Sequence, residues 1–235
     1  MRSHWKRWAL GAVAGLAAIF VGGPFIYIHF IEGKAPAPLS LASLPTTTIV
    51  SAAPAATSAT SGTVDGMWKV ANGSEAGYRI KETLFGQSNT AVGRTTAVTG
   101  SITISGATVP SGSFTVDLTK VSSDRSQRDE QFQGRIMDTA SYPTATFALT
   151  RPIALGSMPA DGIQVTETAF GNLTLHGVTK PVSFQVAARR QGNAIQVSGS
   201  IPITFADWNI SNPSGGPATT ADNGILEFAL SFGHV

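Results

Sequence analysis

The residue best suited by type to catalysis in this 235-residue sequence is His176, in the run Leu173-Thr174-Leu175-His176-Gly177. An imidazole can act as base to a serine when a carboxylate orients it. Yet the chain carries no G-x-S-x-G elbow that would present such a serine. His176 is therefore expected at a turn or strand end, and ester hydrolysis dependent on it is the weakest functional expectation. The other histidines are His234, beside the C-terminus, and His4 and His29 near the N-terminus. No H-x-x-x-H or H-x-x-E-H spacing links any of them, so no metal site is expected. Cysteine is absent, which excludes disulfides, thiolate metal ligands and cysteine nucleophiles. Asp129 and Glu130 are adjacent carboxylates, but neighbours on a helix face different directions and make a poor acid-base pair. No catalytic residue and no cofactor is expected. The pair Arg128-Asp129 is expected to staple a short helix over the fold, or else to meet a polar ligand head group, and loss of either member should harm folding.

What remains is apolar chemistry. Phe114, Val116, Leu118, Phe132, Ile136, Phe147, Leu149, Leu173, Leu175, Phe184, Phe205, Trp208 and Phe228 recur on the apolar sides of their segments and form the candidate ligand-binding set. Pattern alone fits a solid core as well as the wall of a cavity.

The elements that must position these residues are strands. Beyond Gly62 the chain alternates apolar and polar residues between Gly, Asn, Asp and Pro punctuation, as in Ser101-Ile102-Thr103-Ile104-Ser105 and Ser113 to Val121. Asp124 followed by Gln127 resembles a capping box, with Phe132, Ile136 and Met137 at helical spacing before Tyr142-Pro143 ends the segment. One short helix among about eight strands cannot supply parallel crossovers, so an antiparallel sandwich or closed barrel is expected. The long segments Thr96 to Ser105 and Gln191 to Phe205 favour the barrel, since long strands with apolar inner faces leave room for one ligand.

Charge and composition divide the chain. Residues 64–235 hold 12 Lys and Arg against 13 Asp and Glu, so the overall net charge of +2 belongs to the N-terminal region and no nucleic-acid partner is expected. Residues 1–7 carry Arg2, Lys6 and Arg7, whereas 8–31 contain no Asp, Glu, Lys or Arg. A run of that length spans the roughly 30 Å hydrocarbon core of a bilayer, and the basic flank keeps the N-terminus cytoplasmic. A single-pass signal anchor is expected over 8–31, with the rest of the chain outside the cytoplasm, although Ala35 and Ala37 also imitate a cleavage site. Residues 32–63, dominated by Ala, Pro, Ser and Thr, are expected to form a disordered tether. The folded domain is expected over 64–235.

Several blocks in that domain resemble the YceI-like family. The strongest are Ser126-Gln127-Arg128-Asp129 ahead of Phe132, then Met137-Asp138, Tyr142-Pro143-Thr144-Ala145-Thr146-Phe147, and Gly171 to Val182 with His176-Gly177-Val178-Thr179-Lys180-Pro181. Weaker ones are Trp68-Lys69-Val70, Val98 to Ile102, and Phe205 to Ile210, where Asp207-Trp208-Asn209 replaces the family's usual Asp-Phe-Gly. A histidine-containing segment common in the family is missing from Ser88 to Thr95. The resemblance implies an all-β, lipocalin-like antiparallel barrel with one short helix that binds a polyisoprenoid or quinone-like lipid. The alternative is an envelope module with a solid barrel, binding protein or glycan through the Ser211 to Asn223 loop. Nothing in the sequence sets the oligomeric state.

Overall fold

The computed structural model describes residues 35–45, 64–84, 86–215 and 218–235. Thirteen strands form one sheet in which every pairing is antiparallel. They are β1 (Gly66–Val70), β2 (Glu75–Leu84), β3 (Gln87–Thr95), β4 (Val98–Ser105), β5 (Thr108–Asp117), β6 (Ser122–Ser123), β7 (Thr144–Leu149), β8 (Ile153–Ala154), β9 (Gln164–Leu175), β10 (Val178–Gln191), β11 (Ala194–Thr204), β12 (Ala218–Thr220) and β13 (Asn223–His234). The sheet closes because β1 pairs with both β4 and β13, while β13 goes on to pair with β2. The interrupted strands β1–β2 and β3–β4 each form one wall position, giving a closed eight-stranded barrel. Closure removes the open edges that alternating strands would otherwise expose.

The expected alternation holds with local interruptions. The segment from Thr96 begins its strand only at Val98, because Thr95 Oγ1 accepts from the Ala97 amide and turns the chain. The second long segment is a strand over Ala194–Thr204. Phe114 and Val116 lie on β5, but the strand stops at Asp117, whose carboxylate accepts from the Thr119 amide at 2.9 Å and starts a 3₁₀ turn at Leu118. Leu118 is buried all the same.

The expected helix is shorter and begins later. Helix α1 spans Ser126–Gln131 and passes into a π-type turn over Phe132–Ile136, leaving Met137 just beyond. The capping box at Asp124 is corrected: Arg125 is the N-cap and makes no side-chain cap. The Asp124 carboxylate is taken by Arg128, one turn on. Asp129 does the ordering instead, accepting from the Ser123 amide at 2.8 Å and from its hydroxyl at 2.6 Å. Arg128 and Asp129 thus staple the helix through separate partners, Arg128 also reaching Glu82 on β2 at 3.4 Å.

The tether expected over 32–63 is corrected for residues 35–45, which lie along the outside of β13 as a strap. Leu39, Leu41 and Leu44 are buried there against Ala229, with Ala187 alongside. Backbone groups of the strap are held by side chains of the wall. Arg79 donates to the Pro36 carbonyl at 2.6 Å, Arg94 donates to that of Ala37, and the Leu39 amide donates to Glu227 at 3.2 Å. Further along, Arg189 donates to the Leu41 carbonyl at 3.1 Å and Gln196 to that of Pro45 at 3.0 Å. Glu227, on the outer face of β13 beneath the strap, is the clamp: its side chain is only 2 % exposed, and it pairs with Arg94 at 3.0 Å and Arg79 at 3.4 Å. A segment poor in charge and rich in proline looks disordered by composition, yet three leucines at positions 39, 41 and 44 supply enough apolar surface to dock it.

The two ends of the barrel differ. At one end Trp68, Ile104, Ile195 and Phe232 pack together, with Trp68 donating to the Val64 carbonyl at 2.8 Å and meeting His234 edge-on at 4.9 Å. The other end carries the facing ends of β2 and β3 at Leu84 and Gln87, α1 with its π turn, and residues 211–215 and 218–220. The expected anchor over 8–31, and most of 32–63, lie outside the described residues.

Candidate functional site

The inward faces of these strands do not meet throughout. The half of the barrel away from the packed end holds a cavity of about 760 Å³, within the size range of small-ligand sites. Its floor is a layer of four aromatic rings spanning the barrel. Phe114 lies 5.4 Å from Phe147 and 5.2 Å from Phe228, and Phe184 lies 5.2 Å from Phe147 and 5.8 Å from Phe228. Such centroid distances are those of attractive edge and offset contacts. Two glycines make room for rings to lie flat on the wall. A Cβ on Gly171 would sit 2.3 Å from the Phe147 ring, and one on Gly93 would sit 2.4 Å from that of Tyr78.

Of the candidate binding residues, Phe114, Val116, Leu118, Phe132, Ile136, Leu173, Leu175, Phe205 and Phe228 line the cavity. Four do not. Phe147 and Phe184 belong to the floor layer, and Leu149, opposite Gly171 at the far end of β7, packs below it. Trp208 is buried in the 3₁₀ turn Phe205–Trp208 outside the cavity, with the Lys180 ammonium 5.7 Å from its ring. Sequence reasoning missed Tyr78, Ile80, Ile201, Ile203 and Leu226, whose alternation within their strands marks them as inward, and Ala76, Ala91 and Ala145. The alanines create volume by being small, a property that carries no pattern.

The rim is polar. Arg125, Gln127, Arg128, Glu130, Gln131 and Arg135 reach the opening from α1 and its π turn, and Arg135 donates to the Pro213 carbonyl at 3.2 Å across it. Pro213, Gly215, Ala218 and Thr220 complete the opposite lip. The π turn sets this arrangement: it places Phe132 against Tyr78 at 5.0 Å, nearly parallel, while the Met137 amide closes on the Phe132 carbonyl at 2.9 Å. An apolar chamber with a polar rim suits an elongated apolar molecule with a polar end.

Tyr78 links this wall to pH. Burial raises its phenol well above the ordinary value of 10.0; nearby Arg128 opposes the shift, and Asp129, Glu82 and Asp124 reinforce it. A phenol that stays protonated in the fold costs nothing below pH 10. Above it the unfolded chain ionises first, so stability falls as pH rises, by up to about 1.4 kcal/mol per pH unit for this group. Chemical denaturation between pH 9 and 11.5 should show a shallower alkaline loss in Tyr78→Phe than in the parent; identical slopes would contradict this.

His176 occupies the β9–β10 turn with φ +49°. Its Nδ1 lies 3.1 Å from the Trp208 carbonyl, and its ring meets Tyr142 edge-on at 4.7 Å. A backbone carbonyl, not a carboxylate, therefore orients it, and the residue joins the turn to the 3₁₀ segment. Among the described residues, no three His, Asp or Glu side chains gather where a metal could bind. No helix among them is long and apolar enough to cross a membrane.

Fold and chamber together define a cavity-bearing antiparallel β-barrel, a class that holds single ligands inside the wall. Residues 68–232 match the YceI-like domain, and the chain belongs to the YceI-like family. It is 31 % identical over 117 residues to protein YceI of Escherichia coli O157:H7, covering 46 % of this chain and 56 % of that protein. It is 31 % identical over 109 residues to a UPF0312 protein of Yersinia pestis (strain Pestoides F), covering 43 % of this chain and 52 % of the other. The chain thus spans about half the length of the curated relatives it matches. In fold it is similar to a polyisoprenoid binding domain from Saccharophagus degradans implicated in plant cell wall breakdown, with a TM-score of 0.58, 17 % identity, and coverage of 73 % of this chain and 99 % of that one. It is similar also to BcnA of Burkholderia cenocepacia, with a TM-score of 0.53, 21 % identity, and coverage of 67 % and 95 %.

Proposed function

We propose that this chain is a membrane-anchored, extracytoplasmic binding protein that holds one elongated apolar lipid, a polyisoprenoid or an isoprenoid quinone, in its barrel and catalyses no reaction on it. The observation that carries the reading is the chamber of about 760 Å³, apolar in its depth and polar at its mouth. The neighbour from Saccharophagus degradans is a polyisoprenoid binding domain, and that ligand class fits an apolar chamber of this kind. Burial at about 25 cal/mol per Å² supports micromolar or tighter binding by the tail alone. The 8–31 segment, free of charge and preceded by basic residues, supports the anchor and its orientation. Pro213, Gly215, Ala218 and Thr220 form a lip of the mouth, which favours lipid entry over the alternative of a solid scaffold with a binding loop.

Titrating the folded chain with polyprenols of increasing length tests the reading. Affinity should rise with each isoprene unit until the chamber is full and then level off. No dependence on length, or no binding, would reject it.

A further inference from the structure

The strap has a direction. Pro36 is held at Arg79, which lies opposite Ile225 near the start of β13 and close to the mouth. Pro45 is held at Gln196, opposite Ser231 near the packed end, and its ring lies against Gly73 in the β1–β2 turn. The chain therefore runs from mouth to packed end as it crosses the wall, with Pro36 at its mouth-side end.

We propose that the strap is an orienting clamp that seats the open rim of the barrel on the phospholipid surface holding the chain's own N-terminal segment, so that lipid passes between bilayer and chamber without crossing water. The inference rests on the reading of residues 8–31 as a membrane anchor. Only residues 32–35 separate that segment from the clamped Pro36. Five extended residue steps reach at most about 17 Å. The mouth lies nearer than that, about 14 Å from Arg79 for a tilted barrel strand, since five residues of β2 separate Arg79 from Leu84. The packed end lies the other way, nine residues along β13 from Ile225 to His234, or roughly 25 Å for a tilted barrel strand. The exit segment can place the rim at the bilayer but cannot reach far enough to turn the packed end toward it. Arg79 and Arg94, fixed by Glu227, hold the first two clamped carbonyls and set this exit point.

Because the chain has no cysteine, single labels report the orientation cleanly. Ser88→Cys marks the β2–β3 turn at the mouth and Asn193→Cys the turn at the packed end, both at exposed positions. The full chain is inserted into vesicles of phosphatidylcholine with a minor share of phosphatidylglycerol, and each fluorophore is quenched by lipids with nitroxide head groups. The label at position 88 should be quenched several-fold more than the one at 193. The contrast should collapse in Leu39→Ser/Leu41→Ser/Leu44→Ser, and also when a Gly/Ser spacer longer than the barrel is placed between Gly33 and Lys34, a change that leaves the strap itself intact. Equal quenching at both positions, or stronger quenching at 193, in a chain that sediments with the vesicles would overturn the orientation alone. A chain that stays in the supernatant would overturn the anchor reading, and the orientation with it, while leaving polyprenol binding in solution to be judged separately.

Discussion

Ala145→Phe should yield a barrel that is folded, about as stable as the parent, and nearly two orders of magnitude weaker in binding polyprenol. Ala145 is buried on β7 opposite Val116, on the same strand face as Phe147, and borders the chamber above the aromatic floor. In a packed interior a change from methyl to benzyl overfills the site and costs about 1–3 kcal/mol. Here the ring has empty space to enter, so the change in unfolding free energy should stay within about 1 kcal/mol. The displaced tail loses on the order of 100 Å² of apolar contact, worth about 2.5 kcal/mol or nearly two orders of magnitude in affinity. Parallel denaturant melts and polyprenol titrations measure both effects. A variant that loses stability but keeps binding would mean the space is not where the ligand sits.

The opposite pattern is expected at Phe147. Its ring contacts those of Phe114 and Phe184 and lies flat over Gly171, where no side chain can replace it. Phe147→Ala opens a void beneath the chamber that its neighbours cannot collapse into, and should cost about 3–5 kcal/mol of stability. Leu118→Ala, which only enlarges space already present, should cost about 2 kcal/mol or less. Urea melts of the two variants compare them directly, and equal losses would mean that floor and chamber are not distinct regions.

The contrast explains how much was legible in the sequence. Period-two alternation identifies inward faces and places Phe114, Leu173, Phe205 and Phe228 on them, a pattern that fits a solid core as well as the cavity they line. Pattern could not say how far inward faces stand apart. That is set by closure across the barrel, which puts Phe147 and Phe184 in contact with each other and leaves Leu175 facing open space. Ala76, Ala91 and Ala145 matter for what they leave unfilled. Local competition hid other features: Arg128 draws away the Asp124 carboxylate that a capping box would need, and Asp117 ends a strand that alternation would have carried through Leu118. The strap was hidden because composition does not register Leu39, Leu41 and Leu44 as a docking set. Its receptor, Glu227 with Arg79 and Arg94, comes from three neighbouring strands, of which β13 is far from β2 and β3 in sequence.

The most direct measurement of what the chamber holds is organic-solvent extraction of the full chain purified from membranes, followed by mass spectrometry of the extract. If the chamber holds the lipid, the extract should contain an isoprenoid-tailed lipid in near one-to-one ratio with the protein, sharply depleted in Ala145→Phe. A folded chain that carries no such lipid, and takes none up when polyprenol is supplied, would contradict it.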